Sequence, residues 1–592
     1  MTRILLTLAI AVFTLQQSPR PDDQVDGLII EGRVLRQSTS EALPGVLVML
    51  GTPADGEAGE WPADLNASPT LATQIQTLKN RLVSGTRPVL LQNTVDTVLR
   101  ATGNPGRTNN FAFTDSAGRF SFRGLAPGKQ TVRVLVPGYF GPKIHGTFTA
   151  GFAKTVDLKP SAPLVSLDVY LTKGGTIRGR VHVPGTQSTT GIPVDALRVS
   201  YLNGRKRWES VLSGTTDYRG EGDFTLQWLP PGEYFVRISP PEAAPVFFGN
   251  VTETERAVKI DLAEGESREI DFRPQYRPRQ RFSITGTAVN TYDPSSSDRS
   301  VETFLLARRD PTVLDPAFTT IRNQQTATQR SNGEFLLPNL NAGNYDLVAF
   351  FKDRATGRTL VGRTSVLVRG GDVGGPSVAI GAGFTLSGEV VFEGPDAKLI
   401  KPDLLNLRLD SAGVLPNSFV NDPNIVAIDA TGALVGFNVP EERYRFRVTN
   451  LPASAYVADI RQANQSVFDE GFQLSELNEP IQLVISTQGQ SVRGIARTRN
   501  GDFAEHATAV LVPPQAQRQN PMRYRVADSD SEGQFSWQNV PPGQYTLFVW
   551  ENVLPTAWMN PEVLDRERKH GRRVDVTIGM ATDVALTAIP DH

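Results

Sequence analysis

The chain has 592 residues, of which 39% are apolar, and it carries 60 lysines and arginines against 62 aspartates and glutamates. The net charge of -2 and the interspersed charges exclude the basic footprint expected of a protein that binds nucleic acid or an anionic membrane. Cysteine is absent, which excludes disulfides, thiolate metal ligands and a thiol nucleophile, so stability is expected to come from packed cores.

The N-terminal segment is predicted to be a signal peptide over residues 1–20. Arg3 precedes Ile4–Leu15, an uncharged apolar run that is too short to span a bilayer. The alternative is a buried N-terminal strand or helix, because no clear small-x-small cleavage site follows. No second run is long enough to span a bilayer, so we expect an exported chain without a membrane span, in the periplasm, at the cell surface or outside the cell.

A strand with an internal glycine is predicted to open each of five repeated units. These runs alternate polar and apolar residues at the period of two that is typical of a β-strand. The glycine indicates a bulge or a close backbone approach, since a side chain there would disturb the pleat. The five runs are Ile29–Val34, Thr176–Val183, Ser283–Val289, Phe384–Val391 and Ser491–Ala496.

The first unit carries an insertion over residues 51–110 that breaks the β pattern. Apolar residues recur at helical spacing over Leu71–Leu82, after Ser68 as N-cap and Pro69 at the first helical position, and again over Leu91–Leu99. The insertion is therefore predicted to be helical. It would either cover one end of a sheet or act as a docking element for a partner, since long insertions in compact modules are often functional.

A two-turn hairpin motif, Asp-x-x-Gly-x-Phe followed by Leu-x-Pro-Gly-x-Tyr, lies in the middle of the units. Asp can accept backbone N–H bonds and Gly supplies a positive φ, while Pro-Gly makes a second turn into the next strand. In the fourth unit Asp429 and Gly432 are present, but the second turn is predicted only later, at Leu451–Tyr456. The other copies span Asp115–Gly128, Asp217–Tyr234, Gly333–Tyr345 and Asp530–Tyr545.

A further alternating run closes each unit, as in Val165–Leu171. Short strands at regular spacing with Gly and Pro turns indicate sandwiches rather than a parallel sheet. We therefore predict an all-β chain: a tandem array of about five seven-stranded Greek-key β-sandwiches of prealbumin or immunoglobulin type, with a small helical insertion in the first. Very short linkers suggest that neighbours touch and form an elongated rod. The predicted domains are 26–173, 174–274, 281–381, 383–488 and 490–592.

Taken together, the opening strand, the Asp-x-x-Gly-x-Phe hairpin and the Leu-x-Pro-Gly-x-Tyr return resemble the carboxypeptidase regulatory-like family. That resemblance covers nearly the whole chain and implies a transthyretin-like sandwich related to the Cna B-type and carbohydrate-binding-like folds. It implies no single function, since such modules occur in peptidases, surface receptors, adhesins and polysaccharide-active proteins. Cna B-type domains often carry a lysine-to-asparagine cross-link, which we do not predict because the opening strands have Arg or Thr at the lysine position.

The sequence offers no recognised catalytic motif. No nucleophile elbow, Walker loop or dinucleotide fingerprint lies between a predicted strand and a predicted helix, which is where each of these motifs acts. Asp528–Gly533 has the alternating oxygen ligands of a calcium loop, but the matching turns lack the extra acids, so a turn-capping role is preferred. We expect no enzyme, no cofactor and no metal. The five histidines also lack the spacing of a peptidase zinc site; they are His145, His182, His506, His570 and His592.

Aromatic side chains are the remaining ligand-binding candidates. Tyr201 and Trp208 flank the basic run Arg205–Arg207, whereas Trp550 and Trp558 flank a proline-containing loop. Flat rings can stack on the apolar face of a sugar. The alternative is that these side chains cap sandwich ends or fill seams between domains.

From these features we predict an exported, non-enzymatic, multi-domain binding protein with carbohydrate as its first ligand class. The alternative is a structural or adhesive rod, or an accessory subunit of an envelope complex, with protein partners. The expected partner is thus a polysaccharide or a protein of the envelope or surface, and nucleic acid is not expected.

Overall fold

The computed structural model describes residues 27–51, 108–149, 151–182, 189–217, 221–240, 244–274, 280–291, 303–308, 328–329, 333–340, 342–352, 359–381, 383–411, 426–474 and 479–591. The chain divides into two compact units, residues 1–198 with 210–277 and residues 199–209 with 278–592. The predicted signal peptide and the predicted helices of the insertion lie outside the described residues. None of the described helices is long and apolar enough to cross a membrane.

The described residues before residue 275 form nineteen strands. The first segment contains β1 (Leu28–Arg36), β2 (Leu47–Gly51), β3 (Thr108–Phe113), β4 (Arg119–Leu125), β5 (Gly128–Leu135), β6 (Tyr139–Phe140), β7 (Lys143–Ile144), β8 (Thr147–Phe148), β9 (Phe152–Leu158), β10 (Leu164–Ser166) and β11 (Val169–Lys173). The second contains β12 (Gly175–Val181), β13 (Pro193–Leu202), β14 (Arg205–Thr215), β15 (Asp223–Leu229), β16 (Gly232–Ile238), β17 (Val246–Phe247), a 3₁₀ turn (Thr254–Arg256), β18 (Ile260–Leu262) and β19 (Ser267–Phe272).

Three further segments follow. The third contains β20 (Phe282–Asn290), β21 (Thr303–Arg308), β22 (Thr328–Gln329), β23 (Glu334–Leu340), β24 (Gly343–Lys352), β25 (Thr359–Val368) and β26 (Val373–Ile380). The fourth contains β27 (Phe384–Glu393), 3₁₀ turns at Ala397–Leu399 and Pro402–Leu404, β28 (Asn406–Ser411), β29 (Val426–Ile428), β30 (Ala433–Val439), β31 (Arg443–Thr449), β32 (Tyr456–Gln462), β33 (Gln465–Ser466), β34 (Phe472–Gln473) and β35 (Ile481–Ser486).

The fifth segment holds the α-helix of the described residues. It contains β36 (Gln490–Arg497), β37 (Thr508–Val512), 3₁₀ turns at Gln515–Gln517 and Pro521–Arg523, β38 (Arg525–Asp528), β39 (Gln534–Val540), β40 (Gly543–Trp550), a 3₁₀ turn (Ala557–Met559), α1 (Pro561–Arg566), a 3₁₀ turn (Arg568–His570), β41 (Arg572–Val576) and β42 (Thr582–Thr587).

One strand order recurs in all five segments. The opening strand runs antiparallel to the strand after the Asp-x-x-Gly turn and parallel to the closing strand, as in the orders β15-β12-β19 and β39-β36-β42. A second sheet faces this one, for example β38-β37-β40-β41. The chain is therefore a tandem all-β array of sandwiches, as predicted. Each strand pairing in the described ranges joins strands of one segment, and the exact domain boundaries stay a prediction.

The opening strands contain glycine because the neighbouring strand approaches closely. The register places Gly179 between Phe224 on one side and Ile270 on the other. A Cβ at Gly179 would overlap the carbonyl oxygen of Ile270 and would lie 3.1 Å from the Phe224 ring. The predicted close backbone approach is confirmed.

The Asp-x-x-Gly turn has the predicted cap. Asp115 Oδ1 accepts the backbone N–H groups two and four residues later, both at 2.8 Å. Gly118 has a φ of 72°, and Phe120 after it is buried in the core of the first sandwich. Asp429 and Asp530 accept the equivalent pair of bonds in their own turns. The carboxylate thus holds the turn that reverses the chain between two strands.

A tyrosine closes the second turn of the motif. The Tyr234 hydroxyl donates to the carbonyl of Pro230 at 2.5 Å, and the Tyr545 hydroxyl donates to the carbonyl of Pro541 at 3.0 Å. Burial raises the pKa of Tyr234, which keeps its hydroxyl protonated as a donor. The side chain therefore ties the return strand back to the turn that precedes it.

The second turn of the fourth unit is not where the sequence pattern placed it. Tyr444 at the start of β31 donates its hydroxyl to the Pro440 carbonyl at 2.9 Å, directly after β30. Glu442 occupies the position that glycine has in the other copies, so the Pro-Gly signature is missing there. The predicted turn at Leu451–Tyr456 instead connects β31 with β32. The prediction of a longer excursion was wrong.

Each segment has its own apolar core between its two sheets. In the fifth sandwich, Val492 and Phe535 from one sheet meet Leu547 and Val574 from the other. Successive side chains of a strand point to opposite faces, so core residues recur at every second position. The period-two pattern of apolar residues in the sequence reflects the alternate burial of side chains in these cores.

Candidate functional site

Two of the four candidate aromatic residues lie in a second apolar cluster on the fifth sandwich. Val510 and Phe548 face this cluster, whereas their neighbours along β37 and β40 face the core between the sheets. Trp550 is 3% exposed and Trp558 is 8% exposed. The rings of Phe548 and Trp550 stack with 5.2 Å between their centres. The outer face of this sheet is thus packed rather than open.

The connection between β40 and β41 covers that face. It contains α1, which begins at Pro561 with Asn560 as its N-cap. The Asn560 side-chain oxygen accepts the backbone N–H of Glu562 at 2.9 Å and that of Val563 at 3.3 Å. Val563 and Leu564 are buried and pack in the cluster with the two indoles. This connection therefore closes a second core on the fifth sandwich.

Tyr201 packs against the same cluster. It belongs to segment 199–209, which is part of the same compact unit as the fifth sandwich. Burial raises the pKa of its hydroxyl. The structure therefore brings Tyr201, Trp550 and Trp558 together, and it does so through apolar packing.

Trp208 is not a member of that cluster. It is half-buried on β14, and the Lys206 ammonium lies 5.6 Å from the centre of its ring, within the range of a cation–π interaction. Because the indoles of Trp550 and Trp558 are buried, Trp208 has the most accessible ring of the three. Ligand binding by these aromatic side chains stays a prediction.

Sequence patterns do not reveal the contact between the fourth and fifth sandwiches. Arg523 donates from Nε and Nη2 to the two carboxylate oxygens of Asp469, at 2.8 and 3.0 Å. Its guanidinium carbon lies 4.3 Å from the centre of the Phe468 ring. The fully buried Asn520 donates Nδ2 to the Phe468 carbonyl at 2.8 Å. Arg523 and Asn520 of the fifth sandwich thus bind two consecutive residues of the fourth sandwich.

The geometry of this junction is specific. A guanidinium that binds both oxygens of a carboxylate fixes orientation as well as distance. Asn520 also accepts the backbone N–H of Met522 at 3.0 Å, which caps a short 3₁₀ turn. Met522 then packs against the core of the fourth sandwich. The Asn520–Pro521 dipeptide is a recognisable capping signal, but nothing in it points to a partner about fifty residues earlier.

The junction between the third and fourth sandwiches combines apolar and ionic contacts. Val348 of the third sandwich is fully buried in the apolar cluster of the fourth. Arg363 donates Nη1 to Glu442 at 3.0 Å, and its Nη2 lies 3.3 Å from a carboxylate oxygen of Asp346. Glu442, which replaces the turn glycine, therefore serves the contact with the preceding sandwich.

The first and second sandwiches, both in the first unit, meet around Glu264. Its carboxylate accepts Nε of Arg36 at 2.7 Å and the backbone N–H of Lys173 at 3.1 Å. Burial opposes ionisation, but hydrogen bonds from its neighbours, Arg36 among them, outweigh it and lower the pKa of Glu264. Trp228 packs beside this junction, where a Cβ on Gly138 would lie 2.8 Å from its indole ring.

The described residues contain no group of three or more His, Asp or Glu side chains arranged to hold a metal ion. In the calcium-like segment Asp528–Gly533, Asp530 accepts the backbone N–H groups of Glu532 and Gln534 at 2.9 and 2.8 Å. These are the capping bonds of the repeated turn, so the acidic side chain has a structural task there.

No protein-family model and no curated protein sequence match this chain. Solved structures with detectable similarity include the minor pilin GBS52 of Streptococcus agalactiae, at 12% identity over 43% of this chain and 98% of that one, with a TM-score of 0.20. A streptococcal ancillary pilin is similar at 12% identity over 53% of this chain and 100% of that one, with a TM-score of 0.17.

The major pilin subunit BcpA of Bacillus cereus is similar at 10% identity over 70% of this chain and 99% of that one, with a TM-score of 0.15. Scores this low show neither a shared domain arrangement nor a shared function. The β-sandwich architecture therefore rests on the strand pairing described above, and membership of the carboxypeptidase regulatory-like family is not confirmed.

Proposed function

We propose that this chain is a non-enzymatic structural or adhesive protein that is exported and whose partners are proteins of the cell envelope or surface. The observation that carries the proposal is the junction between the fourth and fifth sandwiches, where Arg523 and Asn520 bind Asp469 and the Phe468 carbonyl.

Such a junction suits a protein that must hold its modules in place. Binding modules that act independently need only a flexible linker, which leaves their relative orientation free. Here a bidentate ion pair, a buried amide and the apolar side chain of Met522 join two neighbouring sandwiches. Separating them would leave the Phe468 carbonyl without its donor and would expose apolar surface, so the arrangement resists bending.

The third and fourth sandwiches support the same proposal. Val348 reaches into the neighbouring core, and Arg363 bridges carboxylates on both sides of the junction. Consecutive sandwiches joined by contacts of this kind transmit a load from one module to the next. A spacer or adhesive subunit needs that property, whereas a catalyst or a free carbohydrate-binding module does not.

The proposal is tested by locating the native protein and identifying its neighbours. Cells are fractionated, and surface-exposed protein is cross-linked with a reagent that does not enter cells, followed by mass spectrometry. We expect the chain in the envelope or outside the cell, cross-linked reproducibly to surface proteins. Recovery only from the cytoplasm would overturn the proposal.

The carbohydrate alternative needs its own test. The full chain and its Trp208→Ala variant are applied to a polysaccharide array, because Trp208 can be changed without emptying a core, unlike Trp550. We expect no saturable binding. Saturable binding by the full chain that the variant lacks would replace the structural function with carbohydrate recognition.

A further inference from the structure

The tip of the hairpin β13–β14, in the second sandwich, extends beyond the sheet that supports the base of this hairpin. Among the described residues, β13 pairs with β16 only over Val194–Leu197, and β14 is the edge strand on the other side. Within the part of the chain that the structure describes, segment 199–209 is therefore a two-stranded ribbon without a third strand, and such a ribbon by itself is marginally stable in water. It turns at Asn203 and Gly204, with φ of 49° and 77°, as in the favoured two-residue hairpin turn.

The turn glycine is buried although it lies at the tip of a hairpin. The Gly204 carbonyl accepts a hydrogen bond from Nδ2 of Asn560 at 2.8 Å. A Cβ on Gly204 would lie 2.7 Å from the Met559 backbone, so only glycine fits this approach. Tyr201, on the same ribbon, and Met559 both pack against the cluster that contains Trp558.

Asn560 serves two partners with the two ends of its side chain. Its oxygen caps α1, and its amide nitrogen reaches Gly204. Aspartate offers two acceptors and no donor, yet it caps helices as well as asparagine does. Replacing Asn560 by Asp therefore keeps the helix cap and removes the hydrogen bond to the hairpin.

We propose that the surface at the start of α1, formed by Met559 and Asn560, is the docking site for the hairpin tip 199–209, and that docking holds the tip in its ordered form. The occupant is this chain's own segment, because the tip and the docking site belong to one compact unit. The site selects a hairpin with glycine at its turn, since any Cβ would meet the Met559 backbone.

The test compares amide hydrogen exchange in the full-length chain and three single variants, read by mass spectrometry on peptides that cover 199–209 and 561–571. Asn560→Asp removes the donor, and Gly204→Ala places a Cβ against Met559. Gly191→Ala is the matched control, because Gly191 has a similar φ of 69° but no atom within 4 Å of a Cβ.

We expect exchange in peptide 199–209 to rise about fivefold to tenfold in Asn560→Asp and in Gly204→Ala, as for the loss of one hydrogen bond. Peptide 561–571 should keep its protection in Asn560→Asp, which shows that α1 is intact. Gly191→Ala should leave peptide 199–209 unchanged.

Two results would overturn the proposal. The first is unchanged protection of 199–209 in both Asn560→Asp and Gly204→Ala. The second is protection that falls when the wild-type chain is diluted, because docking between two copies depends on concentration whereas docking within one chain does not. Trypsin offers a second reading, since Arg205 and Lys206 at the tip are exposed and would be cut faster once the tip is released.

Discussion

The ion pair between Arg523 and Asp469 should couple the stability of the fourth sandwich to that of the fifth. The perturbation is a double-mutant cycle of Arg523→Met and Asp469→Asn, which separates the pair from what each residue does alone. Methionine keeps an unbranched apolar stem against Phe468, so the loss of packing is small. The cycle therefore isolates the charged contact.

The structure sets the expected size of the coupling. Two charge-assisted hydrogen bonds of 2.8 and 3.0 Å join the side chains, which are 22% and 26% exposed. Each such bond contributes about 1.5–3 kcal/mol when buried, and partial exposure to water reduces this. We expect a coupling of about 2 kcal/mol in the free energy of unfolding.

The assay is hydrogen exchange of the full chain in increasing urea, followed on peptides from β27 and β36. In the wild type we expect both sandwiches to lose protection together, and in the double variant we expect the two transitions to separate. The control is Arg447→Met with Asp410→Asn, a pair inside the fourth sandwich whose arginine is 60% exposed. A coupling for Arg523 and Asp469 no larger than for this control would refute the reasoning.

Three further predictions concern the repeated sandwich and the first unit. Because the folded-state pKa of Glu264 is lowered, the stability that its carboxylate contributes is present above the ordinary pKa of 4.5 and is lost as the pH falls through the folded-state pKa. The melting temperature of Glu264→Gln should therefore fall less on acidification than that of the wild type. Parallel curves of melting temperature against pH would contradict this. Gly179→Ala should lower the free energy of unfolding by about 3 kcal/mol or prevent folding, whereas Gly191→Ala, whose Cβ would stand in open space, should lower it by about 1 kcal/mol. Equal losses of free energy in urea unfolding would argue against the close backbone approach at Gly179. Tyr234→Phe removes one of two donors to the buried Pro230 carbonyl, which also accepts Nη2 of Arg198 at 2.8 Å, and should lower the free energy of unfolding by about 1 kcal/mol; an unchanged urea midpoint would show that the tyrosine bond is dispensable.

The repeated turns were predictable because each is decided by neighbours in the chain. Asp115 caps amides two and four residues away, and Gly118 adopts the positive φ that its position demands. The fourth copy shows the limit of this kind of prediction. Glu442 stands where other copies have glycine, so the pattern was lost, although Tyr444 still makes the same bond to Pro440.

The contacts between sandwiches were not predictable in the same way. Arg523 and Asp469 are each ordinary charged residues in the sequence, and their pairing depends on how two sandwiches meet. Trp550 and Trp558 stand out in the sequence as candidate aromatic residues, but the sequence could not tell an exposed stacking platform from a second core. Their burial follows from the path of the connection that carries α1.

The sequence by itself determined the class of fold, the repeat and its turns, because strands of period two and turns with Gly, Asp and Pro depend on interactions over a few residues. Only the tertiary structure decided which residues join neighbouring sandwiches, where the aromatic side chains lie and what the Asn203–Gly204 turn touches. Those contacts depend on the approach of surfaces that lie tens to hundreds of residues apart. The hydrogen bond from Asn560 to Gly204, which joins residues 356 positions apart, is the extreme case.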